Sequence, residues 1–214
     1  MDQNTGDPTS LTTTRPTGDP NRLEAFSDGV IAVIITIMVL SLHPPAGTSL
    51  HDLRPLVPKL AVYLLSFVFV AIYWNNHHHL MQLVDRVNGA TLWANAHLLF
   101  WLSLTPVATA WLGPHLADSA PVAVYGGVLL GASIAYWILV RCLIGSHGSD
   151  SRIARAVGND VKGKLSVVAY VLAIVAATVV PWLSVAIYVA LDVAWLVPDR
   201  RIERVLSLAT GDGE

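Results

Sequence analysis

The chain has 214 residues, of which 54% are hydrophobic and 13% are charged. A soluble domain carries roughly 25% charged residues, so the composition favours a polytopic helical membrane protein surrounded by a lipid bilayer. The formal net charge of −2 provides no basic stripe to neutralise phosphates, which argues against nucleic acid as a partner. The single cysteine, Cys142, excludes an intrachain disulfide and a metal site built on several thiolates.

The apolar residues form long blocks, and these predict an all-α protein with six transmembrane helices in residues 21–198. The polar residues 1–20 are predicted to be a disordered cytoplasmic tail, and residues 199–214 a second cytoplasmic tail. The last apolar block would form a helix of about 50 Å, too long for one straight span, so a turn is expected at Pro181-Trp182. The predicted spans are 22–42, 53–75, 90–112, 122–144 and two short spans within 165–197.

The basic residues are distributed unevenly between the predicted loops. Eleven of the thirteen Lys and Arg residues fall in segments that six spans place on the side of the N-terminus. Only Arg54 and Lys59 belong to the other side. The positive-inside rule therefore predicts that both termini are cytoplasmic.

The first span is unusual because Asp28 lies inside its apolar block. An ionisable residue in a membrane span is a candidate functional group, although Asp28 could simply pair with a neighbouring helix. At about 100° per residue, Val33, Ile37 and Leu40 form one stripe, with Thr36 beside it. Asp28 lies about 140° from Val33 and is expected to point into the surrounding bundle. Periodicity alone favours ordinary packing over a pore for this stripe.

Other polar residues in the spans give weaker signals. The consecutive histidines His77, His78 and His79 point about 100° apart on a helix. They lack the i, i+4 spacing with which two imidazoles hold zinc, so neither a metal site nor a cofactor is predicted. Asp192, in the last span, is expected to pair with a neighbour or to face water.

One string in the first span has a specific resemblance. Arg22-x-x-x-Phe26-Ser27-Asp28-Gly29 closely resembles the signature of the transmembrane protein 175 family, which comprises endosomal and lysosomal potassium channels and their prokaryotic relatives. Trp74-x-x-His77 in the second span and Asn95 and Pro106-x-x-Thr109 in the third continue the resemblance. The chain has one six-span unit and looks like the prokaryotic form of the family.

The resemblance implies a homotetramer in which the first helix of each subunit lines a central pore. It implies a potassium-permeable, leak-type channel without a cofactor, in the plasma membrane of a prokaryote. The constriction would be formed by Val33, Ile37 and Leu40, with Thr36 beside them. Val33 stands where the family usually has isoleucine or leucine, so the ring at that level is expected to be wider.

The resemblance also assigns a role to the signature residues. They would brace the pore helix against the second and third spans. The residues concerned are Arg22, Phe26, Ser27 and Asp28 on the first span, and Trp74, His77 and Asn95 on the others.

Two further hypotheses are open at this point. The first is a proton- or cation-coupled transporter that uses Asp28 and His77 as a relay. Transporters tend to show inverted repeats and broken helices, which the sequence does not display. The second is a membrane enzyme or metal protein built on the histidines, which their spacing disfavours, so an enzyme is not predicted.

Overall fold

The computed structural model describes residues 18–158 and 160–196, and these residues are largely helical. Within them the only β-type pairing is an isolated bridge between Gly18 and Val87. The predicted all-α class is therefore confirmed for the described part of the chain. The helices are α1 (Pro20–Leu40), a 3₁₀ helix (Leu50–Leu56), α2 (Val57–Met81), α3 (Gly89–Ser103), α4 (Thr105–Leu112), α5 (Ser119–His147), α6 (Arg152–Val157), α7 (Val161–Ala177) and α8 (Pro181–Leu196).

Polar side chains fix where several of these helices begin. Asp19 caps α1 by accepting from the amide of Asn21 at 2.9 Å. Asn88 caps α3 by accepting from the amide of Thr91 at 2.9 Å. Such caps satisfy amides that have no partner within the helix, so the helices start close to the predicted positions.

The third predicted span is not one continuous helix. The structure interrupts it at Leu104, and α4 begins at Thr105. Pro106 has no amide hydrogen to donate and its ring clashes with the carbonyl four residues earlier, which breaks a helix at this point. The expectation of a single helix over 90–112 is therefore wrong, although α3 and α4 together cover that segment.

The last apolar block is divided into α7 and α8, as its length predicted. The turn lies at residues 178–180, whereas the sequence placed it at Pro181-Trp182. Pro181 is instead the first residue of α8, a position where a missing amide hydrogen has no cost. The Ser184 hydroxyl donates to the Ala173 carbonyl at 2.6 Å, which ties the two helices together.

Helix α5 lies at the centre of the bundle and contacts α3, α4, α7 and α8. Gly131 of α5 faces the indole ring of Trp101 on α3 so closely that a Cβ atom at this position would overlap the ring. Helix α1, in contrast, packs on α2, α3 and α4. It therefore sits at the edge of the described bundle and leaves one of its sides open.

The loops gather at two ends of the bundle. At one end, Gly18 bonds with Val87, and Arg152 forms an ion pair with Asp85 at 2.9 Å. At the same end, Arg86 donates to the Ser146 carbonyl at 3.0 Å. These contacts join the start of α1 to the α2–α3 connection, and they join that connection to the end of α5 and to α6.

Three helical segments are long and apolar enough to cross a membrane, namely 20–40, 50–81 and 119–147. The segment 50–81 joins the 3₁₀ helix to α2. Helices α7 and α8 are shorter, and the α3–α4 segment is broken. The fold is therefore that of a helical membrane protein, and the predicted tails lie mostly outside the described residues.

Candidate functional site

The two sides of α1 differ sharply in their surroundings. One side is packed against the bundle and carries Leu23, Ser27, Ile31, Ile34 and Met38. A different side is open: Val33 is 56% exposed, Ile37 is 50% exposed and Leu40 is 71% exposed. At about 100° per residue, these three residues lie within about 60° of one another. We call this stripe, with Thr36 beside it, the open face of α1.

The packed side of α1 is fastened by a buried polar chain. Asn95 of α3 donates from Nδ2 to the Ser27 hydroxyl at 2.9 Å, and that hydroxyl donates to the Leu23 carbonyl at 2.8 Å. The Asn95 Oδ1 atom lies 2.8 Å from Nε2 of His77 on α2. An amide oxygen only accepts, so the imidazole carries its proton on Nε2. The chain of contacts thus joins α1, α2 and α3.

A second set of polar contacts runs between α1 and α2. Trp74 donates from Nε1 to Asp28 Oδ1 at 3.0 Å, and His78 Nδ1 lies 2.6 Å from Glu24 Oε1. The rings of Trp74 and His78 stack with centroids 5.9 Å apart. Residues 24 and 28 are one turn apart on α1, as are residues 74 and 78 on α2, so the two pairs form consecutive contacts of antiparallel helices. Asp28 itself is half-buried, at the border between the packed and exposed sides of α1.

We refer to these side chains together as the polar cluster. Its members come from three helices that are far apart in sequence. They are Glu24, Ser27, Asp28, Trp74, His77, His78 and Asn95.

Two signature residues lie outside the polar cluster. Phe26 is 61% exposed and Arg22 is exposed as well. Each lies within about 20° of Val33 around the helix axis, and so both continue the direction of the open face. Their role in bracing α1 against α2 and α3 stays a prediction.

Two cluster members, Glu24 and His78, were missed by the sequence analysis. Glu24 lies between Arg22 and Phe26 of the recognised string, and His78 follows His77. The available signal was the i, i+4 spacing that each shares with a recognised residue, Glu24 with Asp28 and His78 with Trp74.

Thr36 lies on the exposed side of α1, next to the open face. Its hydroxyl donates to the Ala32 carbonyl of the same helix at 2.8 Å. The hydroxyl hydrogen is therefore engaged, whereas the oxygen retains lone-pair capacity toward the exposed side.

The three consecutive histidines do not converge. His77 bonds Asn95, His78 bonds Glu24, and the buried Nδ1 of His79 has no partner among the described residues. Across residues 18–158 and 160–196, no three His, Cys, Asp or Glu side chains come together in a way that could hold a metal ion.

Asp192 of α8 is not part of the polar cluster. It is 4% exposed, and its Oδ2 atom has no hydrogen-bond partner among the described residues. It lines a cavity between α2, α5, α7 and α8. The expectation that Asp192 pairs with a neighbour is therefore not met at Oδ2. The alternative that Asp192 faces water is contradicted by the burial of the residue.

The fold and the polar cluster define a helical membrane protein whose first helix is fastened on one side and open on the other. The profile of the family described as endosomal/lysosomal potassium channel TMEM175 matches residues 22–106, which include the recognised string and the polar cluster.

Known proteins resemble the chain over most of its length. A potassium channel of Chryseobacterium sp. (strain P1-3) is 49% identical over 185 residues, which cover 86% of this chain and 96% of that protein. A potassium channel of Streptomyces collinus is 33% identical over 147 residues, which cover 63% of this chain and 70% of that protein.

A solved structure shares the fold. The crystal structure of a lysosomal potassium-selective channel TMEM175 homologue from Chamaesiphon minutus superposes with a TM-score of 0.72 at 28% identity. The match covers 83% of this chain and 96% of that one. The chain belongs to the TMEM175 family, and the resemblance drawn from the recognised string is confirmed.

Proposed function

We propose that this chain is one subunit of a potassium-permeable channel, in which α1 from each of four copies surrounds a central pore. The observation that carries the proposal is the open face of α1, where three aliphatic side chains in register are at least half exposed. The relatives named as potassium channels, one of them matching over nearly its whole length, support the permeant ion.

The polar cluster supports the choice of α1 as the lining helix. A helix that borders a pore has few neighbours on its open side, so contacts on its packed side must fix its orientation. The contacts of Ser27 and Asp28 with α2 and α3 supply that fixation. Interhelical hydrogen bonds in membranes are worth about 0.6–2 kcal/mol each, so several together can hold the rotation of α1.

The open face determines how ions would pass. Val33 and Leu40 are seven residues apart, about 10 Å along the helix, so the constriction would be an aliphatic tube and not one ring. Aliphatic side chains offer an ion no replacement for its hydration shell, and such a tube conducts only when it is wide enough to stay wet. The smaller Val33 widens one end of this tube. The Thr36 hydroxyl lies beside it as the nearest polar group.

The membrane orientation follows from the basic residues. In our proposal the end that carries Arg86, Arg152 and Arg155 faces the cytoplasm, and the chain resides in the plasma membrane of a prokaryote. Lys59 lies near the opposite end, against Gly113. Both termini would then be cytoplasmic, with six membrane crossings in which α3 and α4 together make the third.

The relay expected of a coupled transporter receives less support. Asp28 accepts from Trp74, and His77 bonds Asn95, so the two residues have different partners. The feature that favours a relay is the buried Nδ1 of His77, which has no partner among the described residues. A relay would need a water chain to link this nitrogen with Asp28.

A planar-bilayer recording of the purified protein under a potassium gradient tests the proposal. We expect unitary currents that reverse near the potassium equilibrium potential, together with a tetramer in native mass spectrometry. Folded tetramers that move potassium only slowly, without unitary currents, would support a transporter and contradict the channel.

A further inference from the structure

A cavity of about 360 Å³ lies between α2, α5, α7 and α8, away from α1. Its size falls within the range of small-molecule sites in proteins, roughly 300–1,000 Å³. Ile134 and Trp137, which line it, are 39% and 43% exposed, so the cavity reaches the surface of the chain along α5. A ligand could therefore enter from the side of the bundle.

The wall of the cavity is rich in aromatic side chains. Rings of this kind bind apolar groups, and their faces also attract organic cations. The aromatic residues in the wall are Phe69, Tyr73, Tyr136, Trp137, Tyr170 and Trp195.

Asp192 gives this wall a specific polar feature. Its side chain is almost completely buried, and Oδ2 has no hydrogen-bond partner in the described part of the chain. Burying a carboxylate without a partner is costly, and ionisable residues within membrane spans usually mark a function. The other charged side chains that line the cavity, Asp160 and Lys164, have opposite charges, so Asp192 leaves the lining residues with one negative charge in excess. The Lys162 ammonium group lies behind the wall, 4.5 Å from the centre of the Trp195 ring.

We infer that this cavity is a binding site for an organic ammonium ion with an apolar body, whose charged group pairs with Asp192. The aromatic wall would enclose the body, and the carboxylate would accept from the ammonium group. A bare alkali cation fits less well, because it needs several oxygen ligands to replace its water, whereas this wall is mostly carbon. The inference does not depend on the proposed channel function, because no residue of α1 lines the site.

Calorimetric titration of the full-length protein in lipid nanodiscs tests the inference, with empty nanodiscs as the blank. The probes are 4-phenylbutylamine and the neutral 4-phenylbutan-1-ol, which have the same body. We expect the amine to bind at least tenfold more tightly than the alcohol. Asp192→Asn should weaken amine binding at least tenfold and leave alcohol binding nearly unchanged. Equal affinities for the two probes, or an amine preference that survives in Asp192→Asn, would overturn the inference.

A second pair of variants locates the site independently of Asp192. Val167 lines the cavity, whereas the adjacent Val168 is 54% exposed and is not part of the wall. Val167→Phe should fill part of the cavity and weaken the binding of both probes severalfold. Val168→Phe should leave the affinity for both probes unchanged. If Asp192→Asn does not fold, this pair decides the matter. If Val167→Phe leaves amine binding unchanged, the amine binds elsewhere, for example in the pore, and the proposed site is wrong.

Discussion

The side-chain amide of Asn95 donates to the hydroxyl of Ser27 across 2.9 Å, and both residues are almost fully buried. Through this contact, α3 holds the packed side of α1, while Val33, Ile37 and Leu40 remain exposed on the other side. The rotation of α1 about its axis is therefore set by groups that do not touch the open face.

Replacing Asn95 with alanine should destabilise the protein. His77 would lose the acceptor of its Nε2 hydrogen, and a buried group left unpaired costs about 1–3 kcal/mol. Ser27 would lose the donor from Asn95 but keep its own bond to the Leu23 carbonyl. Asn75→Ala is the matched control, because Asn75 lies exposed on α2. Thermal unfolding in detergent should show a lower midpoint for Asn95→Ala and almost no shift for Asn75→Ala. Equal midpoints would mean that the polar chain does not stabilise the fold.

Asp28→Asn should reduce the yield of folded tetramer more than it alters ion selectivity. Asp28 accepts from Trp74, and the amide that replaces it is a weaker acceptor because it has no charge. Trp74→Phe removes the donor of the same pair and should reproduce the effect. Size-exclusion chromatography gives the yield, and reversal potentials give the selectivity. A normal yield together with altered selectivity would place Asp28 in the ion pathway.

Gly131→Ala should destabilise the centre of the bundle. A Cβ atom at this position would overlap the ring of Trp101, whose Nε1 atom is held by His97 at 2.9 Å. Overpacking of this kind costs about 1–3 kcal/mol. Gly127→Ala, on the same helix with nothing within 4 Å of the added atom, should be neutral or slightly stabilising, by about 0.5–1 kcal/mol. Unfolding midpoints that fall equally in both variants would argue against the close α3–α5 contact.

The orientation of the chain can be read from reporter fusions at two exposed loop positions. Ser149 lies in the α5–α6 connection and Ala117 in the α4–α5 connection, at opposite ends of α5. We expect a cytoplasmic signal at Ser149 and an external signal at Ala117, because basic residues cluster near the former. The same signal at both positions would disprove the proposed topology.

The helices were largely predictable because their signals are local. Long apolar blocks, together with prolines such as Pro181, mark where membrane helices begin and end. The spacing of Val33, Ile37 and Leu40 placed them on one stripe of α1, but their exposure required the structure, because periodicity alone favoured ordinary packing. The break at Leu104 was not predicted, because residues 90–112 were interpreted as one span that includes Pro106.

The contacts between helices could not be derived from local patterns. Glu24 meets His78 across 54 residues of sequence, and that distance depends on how α1 packs on α2. The cavity beside Asp192 likewise requires four helices to be placed together. The family resemblance brought Ser27, His77 and Asn95 to attention, but the pairing of particular atoms required the structure.

The central claim is that the open face of α1 lines the pore, and the reversal potential under bi-ionic potassium and sodium conditions tests it most directly. Ile37→Ala and Leu40→Ala should each widen the aliphatic tube, so that conductance rises and the preference for potassium over sodium falls. Ile34 is 3% exposed, so a change there would test stability more than permeation. Val39 is the better control, because it is 45% exposed and lies about 120° from Val33 around the helix.

We predict that the reversal potential moves toward zero in Ile37→Ala and Leu40→Ala and stays at the wild-type value in Val39→Ala. A shift in Val39→Ala, with wild-type values in the other two variants, would show that a different face of α1 meets the ions and would contradict the account.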